Sequence, residues 1–309
     1  MIELDIAQAD AIGTRAEQQD AACSVALGTG DGASLLVLAD GLGGHADGAL
    51  AAKIVIEAFR DAAESGRFDH ASAHAQALHG ALEDINARIL AAADPADDRH
   101  GMASTAVAAI VTDGAVRWIS VGDSHLYVSR GGRLSKLNAD HSQAGMMIRD
   151  GYAPTDEAVL SVRSVLVSAL TGREIEEIDA PAHDVALEVG DVLLLASDGL
   201  NTLSDQEIAF AIDRSYESGA EAICTALLGK VTDRKLARQD NTTVLVARVL
   251  GAAPRTAPHP NGPTLRLDQA ALPSSAPVSG QPGRRLPLKI LLLAMAAAAA
   301  ASVIVTQTM

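Results

Sequence analysis

Four aspartates that lie near apolar runs, Asp20, Asp40, Asp198 and Asp240, are the residues of this chain best suited to chemistry. Asp40 ends the run Ser34-Leu35-Leu36-Val37-Leu38-Ala39 and opens Asp40-Gly41-Leu42-Gly43-Gly44-His45. Asp198 ends Val192-Leu193-Leu194-Leu195-Ala196-Ser197 and is again followed by Gly-Leu. Taken alone, each is an ordinary turn residue, because Asp-Gly is a common turn. Taken together they are something else. Carboxylates gathered at one place without basic partners repel one another, and a carboxylate at a buried strand end is costly unless a positive charge sits beside it. Hard divalent cations remove the conflict, and an all-oxygen ligand set selects Mg²⁺ or Mn²⁺ over zinc. Two ions sharing Asp40 would hold a water between them and lower its pKa. Arg15, in the same loop as Asp20, carries a planar fork suited to a phosphate. The chemistry this implies is phosphoester hydrolysis.

The elements that must position these groups follow from periodicity and turns. A strand over residues 21–27, a turn at Asp31-Gly32 and a strand over 35–39 form a hairpin that brings Asp20 and Asp40 to one sheet end. Two helices are expected over 46–64 and about 72–92, the second with Leu78, Leu82, Ile85 and Ile89 as its core face. A polar loop spans 94–100. A meander of short strands follows over 104–137, turning at Asp113-Gly114 and at Arg130-Gly131-Gly132. Gly122-Asp123-Ser124 interrupts it as a bulge that re-aims Asp123. Residues 140–163 read as a helical piece within an excursion. Residues 164–170 and 185–187 are again apolar, and 192–197 is the strongest strand. Two further helices, about 204–217 and 219–231, precede a strand over 244–250. Two rounds of strands, each followed by paired helices, predict an α/β (α+β) four-layer sandwich with two mostly antiparallel sheets face to face and helix pairs outside. Cys23 and Cys224, at no ligand spacing, are expected as buried small hydrophobes, and His74, His79 and His100 as solvent-facing.

Composition bounds the partners. With 24 basic against 39 acidic residues, the net charge of -15 argues against nucleic acid, whose phosphates need a basic face. The hydrophobic fraction of 48% is ample for a core, built from Ala, Val, Leu and Ile because aromatics are 2%. The N-terminus has no basic region followed by an apolar run, so no signal peptide is expected. The globular domain is expected over 1–250. Eight of the 11 prolines lie between residues 251 and 287, so 251–285 reads as an extended linker. Arg284-Arg285 and Lys289 then flank an uncharged apolar run, and 286–306 is expected to be a single membrane-spanning helix. Basic residues on its N-terminal side alone put the globular domain in the cytoplasm, on the inner membrane.

At this point the chain resembles a known family. Arg15-x-x-x-Gln19-Asp20, Ala39-Asp40-Gly41-x-Gly43-Gly44-His45, Val121-Gly122-Asp123-Ser124, Ser197-Asp198-Gly199 and Asp240-Asn241-x-Thr243 occur in the order and spacing of the type 2C metal-dependent serine/threonine protein phosphatases. The form around Asp40 is similar to the bacterial branch. The resemblance covers about residues 5–250. It implies that Asp40, Asp198 and Asp240 ligate one metal ion, and that Asp40 and the Gly41 carbonyl ligate another. Asp20 would hold metal-bound water and Arg15 the substrate phosphate. Asp123 matches a position used for a third, weaker ion, and residues 145–178 match a flap beside the site. Phosphorylated proteins are the implied substrates, a cognate Ser/Thr kinase the implied signalling partner, and the domain is expected to be monomeric.

Two positions depart from the family. Gln19 stands where Glu is frequent, which lowers the negative charge beside the second ion. Thr202 stands where Asp usually helps to hold the third ion, which leaves that ion in doubt. His45 is read as shaping its turn, with a role as an acid the alternative, and His141 as a packing residue. Gln19 and Thr202 also support a second reading, a catalytically weak or inactive module that binds phosphoproteins at the membrane. A third reading keeps the enzyme but gives it a small phosphoester as substrate.

Overall fold

Residues 3–28, 32–43, 46–93, 101–112 and 114–251 are described by a computed structural model. The expected 251–285 linker beyond Gly251, the 286–306 span, the 94–100 loop, Asp31, Gly44, His45, His100 and Asp113 lie outside them. Among the described residues no helix is long and apolar enough to cross a membrane.

In chain order the strands are β1 (Glu3–Ala11), β2 (Asp20–Ala26), β3 (Ser34–Leu42), β4 (Ala103–Ser104), β5 (Ala106–Thr112), β6 (Ala115–Val121), β7 (His125–Arg130), β8 (Arg133–Lys136), β9 (Val185–Ala186), β10 (Val192–Ala196) and β11 (Thr242–Gly251). The helices are α1 (Ala46–Glu64), α2 (His74–Ala92), α3 (Gln143–Arg149), α4 (Glu157–Leu160), α5 (Asp205–Ser215) and α6 (Ala220–Asp233). One sheet runs β1-β11-β10-β7-β8; the other runs β2-β3-β5-β6-β9 with β4 paired to β3, and every pairing is antiparallel.

Alternation along the strands builds the layers, because successive side chains point to opposite faces. In β3, Leu36 and Leu38 join Leu193, Leu195, Leu245 and Ala247 in the cluster between the two sheets. Leu35, Val37 and Ala39 pack on the other face with Val55 and Phe59 of α1 and Leu82 and Ile85 of α2. In β10, Val192, Leu194 and Ala196 pack outward with Ile208 and Ile212 of α5 and Ile223 and Leu227 of α6. The sequence therefore reads as unbroken apolar runs at β3 and β10: both strand faces are covered. This is the expected four-layer sandwich.

Four expectations change. The first strand, β1, has no counterpart in the sequence reading, yet it pairs with β11 along its whole length. The stretch from 104 to 137 is not a meander in one sheet: β6 belongs to the six-stranded sheet and β7 to the five-stranded one, and Gly122–Ser124 carries the chain across. The interruption that reads as a bulge is thus the passage between layers. His74 is buried, not solvent-facing, and its Nε2 donates to the Phe68 carbonyl at 2.9 Å. Residues 164–170 contribute only isolated bridges, Ser142 to Leu166 and Ser104 to Leu170, rather than a strand. His79 is exposed, and Cys23 and Cys224 are buried free thiols.

Candidate active site

The acidic residues meet where strands from both sheets end. Asp20, the first residue of β2, lies directly opposite Asp40 in β3. The turn after Asp40 is tight. Gly41 N donates to the Gln19 carbonyl at 3.0 Å, and a Cβ on Gly41 would lie 1.9 Å from the Gly48 carbonyl oxygen of α1. No side chain fits that approach, so glycine is required for closeness of backbone. On the other side of β3, Asp40 N donates to Thr105 Oγ1 at 3.0 Å and Thr105 N donates to the Asp40 carbonyl at 2.9 Å. Thr105 Oγ1 lies 2.7 Å from Ser124 Oγ, which ties Asp40 to the loop that holds Asp123.

The other sheet supplies the remaining carboxylates. Asp198 opens a short 3-10 turn immediately after β10, and Asp240 lies two residues before β11. Ser197 joins the two sheets: its Oγ donates to Asp20 Oδ2 at 2.7 Å and accepts from Thr243 N at 2.9 Å. Gly199 packs so closely that a Cβ would lie 2.0 Å from the Asn241 carbonyl oxygen. Asn241 in turn holds the loop that carries Arg15. Its Nδ2 donates to the carbonyls of Ile12 at 2.9 Å and Glu17 at 3.1 Å, and its Oδ1 accepts from Gln19 N at 2.9 Å. Arg15 Nη2 contacts Asp240 Oδ2 at 2.5 Å.

The electrostatics match a crowded acidic site. Burial, then the charges of Asp20, Asp198, Asp123 and Asp240, push the Asp40 carboxyl well above the usual carboxylate range. Burial pushes Asp20 up to about 6, against the Ser197 hydrogen bond that lowers it. Asp198 rises to about 6 through burial and then the charges of Asp240 and Asp20. Asp123 rises to about 7 through burial and the charges of Asp198 and Asp140. Four carboxylates raised together are held short of a counter-charge. The all-oxygen donor set fits Mg²⁺ or Mn²⁺. Among the described residues, however, no three His, Cys, Asp or Glu side chains are set close enough to hold an ion as they stand.

The third-ion position departs from a ligand set. Thr202 donates its hydroxyl to Gln239 Oε1 at 2.8 Å, and Gln239 Nε2 donates to the Gly199 carbonyl at 3.2 Å. Gln19 packs its side chain against Gly48. His141 is structural: its Nδ1 accepts from Gly122 N at 3.1 Å. Thr105, Ser197, Gln239 and the amide of Asn241 are positioning residues that the sequence reading did not single out. Ser197 and Asn241 stood inside quoted motifs; Thr105 had only the break it makes in an apolar run.

Residues 8–239 match the protein phosphatase 2C family. This chain belongs to that family. Serine/threonine protein phosphatase PstP of Mycobacterium tuberculosis is 34% identical over 225 residues, which are 71% of this chain and 41% of that protein. This chain's match therefore spans less than half the length of that relative. Serine/threonine phosphatase stp of Listeria welshimeri is 28% identical over 220 residues, 70% of this chain and 84% of that one. A crystal structure of the PstP catalytic domain in complex with two manganese ions superimposes with a TM-score of 0.67 at 28% identity, covering 81% of this chain and all of that one. The fold is thus that of the metal-dependent phosphatases, and Mn²⁺ or Mg²⁺ is the cofactor class of this family.

Proposed function

We propose that this 2C-family member hydrolyses phosphoserine and phosphothreonine on proteins with two Mg²⁺ or Mn²⁺ ions, and that its C-terminal segment tethers it to the inner membrane. The observation that carries the reading is the convergence of Asp20, Asp40, Asp198 and Asp240, from four separate segments of two sheets, beside the Arg15 guanidinium. Asp40, Asp198 and Asp240 would hold one ion, and Asp40 with the Gly41 carbonyl the other. When bound, the ions supply a water acidified for attack and neutralise charge on the phosphate. The chain's own groups do the rest. Arg15, 56% exposed, presents its fork to an incoming phosphate and fixes its orientation. Asp20, held by Ser197, accepts a hydrogen bond from the attacking water and sets its direction. Asp123 serves the acidic field near Asp198; Thr202, engaged with Gln239, gives a third ion no carboxylate. A Ser/Thr kinase at the same membrane is the proposed counterpart, and Arg284, Arg285 and Lys289 beside an apolar run support the tether.

The test is phosphopeptide and p-nitrophenyl phosphate hydrolysis with Mn²⁺ titrated in. Turnover should appear with Mn²⁺ and fall by at least about 100-fold in Asp40→Asn. Undiminished turnover in that variant sinks the two-ion assignment built on Asp40; no turnover in the unmodified protein sinks the catalytic reading and favours the phosphoprotein-binding module.

A further inference from the structure

The Arg15–Asp240 pair presents a conflict of roles. Both oxygens of the Asp240 carboxylate are engaged: Oδ2 with Arg15 Nη2 at 2.5 Å, and Oδ1 with Asn241 N at 2.8 Å. The Arg15 loop is fastened to the same segment. Thr14 N and Oγ1 donate to the Gln239 carbonyl at 2.9 and 3.1 Å, and Asn241 Nδ2 donates to the Ile12 carbonyl. Arg15 therefore stays within reach of Asp240 whatever its side chain does. The guanidinium is 56% exposed and the carboxylate 38% exposed, so the pair is a weak one, worth no more than about fivefold in an equilibrium. A divalent ion can displace it.

We infer that Arg15 gates the metal site: its ion pair with Asp240 withholds a carboxylate from the ion, so that taking up the ion and releasing the guanidinium for a phosphate are one coupled event. The inference rests on the proposed metal ligation by Asp240. It gives Arg15 an order of action. One arm of the phosphate-gripping fork is held by Asp240 until the ion arrives, so an ion-free protein grips phosphoprotein less well. Because the coupling is reciprocal, a phosphate that captures Arg15 makes Asp240 more available to the ion.

Calorimetric titration of the full chain with Mn²⁺ tests this. Arg15→Ala should tighten Mn²⁺ by about two- to fivefold. Arg15 is at the surface, so the variant is expected to fold as the unmodified protein does. Loss of a nearby positive charge would also tighten the ion, so a second measurement separates the two effects. In the unmodified protein, NMR of the Arg15 side chain should show slow guanidinium rotation without metal and fast rotation once Mg²⁺ saturates, with the same midpoint as the calorimetry. An unchanged or weaker Mn²⁺ affinity in Arg15→Ala, or guanidinium rotation indifferent to Mg²⁺, overturns the gate and leaves the metal-dependent phosphatase standing. A protein that takes up no ion at all overturns both.

Discussion

Ser197 shows how much a neutral residue can decide in an acidic site. Its hydroxyl donates to Asp20 and receives from Thr243 N, so Ser197→Ala leaves two buried polar groups short of a partner. We expect a loss of about 1–3 kcal/mol in denaturant unfolding, and a further rise of the Asp20 pKa, since the lost bond is one that lowers it. The raised carboxyls also set a pH dependence. Asp20 and Asp198 at about 6 and Asp123 at about 7 lie above the unfolded value near 3.8, so the folded chain binds more protons between those limits. Stability from these groups is fully present below about pH 4 and is lost as pH rises through 6 to 7. Thermal melts in EDTA should therefore fall between pH 5 and pH 7.5, and saturating Mn²⁺ should flatten or reverse the trend because ion binding displaces the protons. A melting temperature in EDTA that rises over this interval would contradict the assignment of mutual repulsion. The four aspartates were legible in the sequence because a charge at the border of an apolar run is conspicuous. Thr105, Gln239 and Asn241 were not, because hydroxyls and amides carry no such contrast and their partners are remote. Asn241, for instance, binds a carbonyl 229 residues away.

At the scale of elements, the close passages between segments are the vulnerable points. Gly199 lets the turn after β10 approach the start of β11, where a Cβ would meet the Asn241 carbonyl at 2.0 Å. Backbone on both sides leaves no flexible atom to give way. Gly199→Ala should therefore separate Asp198 from Asp240, lowering the melting temperature and Mn²⁺ affinity together. An alanine variant with both unchanged would mean the passage is looser than described. The same packing logic explains which strands could be read. β3 and β10 lie between a helix layer and the opposite sheet, so residues 35–39 and 192–196 are all apolar and the signal is strong. In β1, Leu4 and Ile6 face the inter-sheet core while Ala7, Ala9 and Ala11 face the helix side. Alanine gives a faint alternation, and Asp5, which pairs with Arg248 at 2.7 Å, and Asp10 make the segment look like loop. The passage at Gly122–Ser124 was visible as an interruption, but local sequence carries no mark of which sheet the next strand joins.

For the whole molecule, the layers close into one body whose first and last strands are partners, and no described element lies beyond Gly251. Residues 1–251 alone should keep full phosphopeptide turnover with Mn²⁺ and remain in the supernatant on ultracentrifugation, while the full chain should sediment with membranes. Full chain in the supernatant would remove the tether without touching the chemistry. The partnership of β1 with β11 also has a consequence in time. Synthesis proceeds from the N-terminus at about 5–20 residues per second. The strand Glu3–Ala11 thus waits roughly ten to fifty seconds for Thr242–Gly251, and Asp240 emerges last of the four converging aspartates. A nascent chain on the ribosome holds Arg15, Asp20 and Asp40 early but lacks the final carboxylate and the strand that seals the sheet. On the proposed function, the order of translation itself would keep a half-made molecule from dephosphorylating anything.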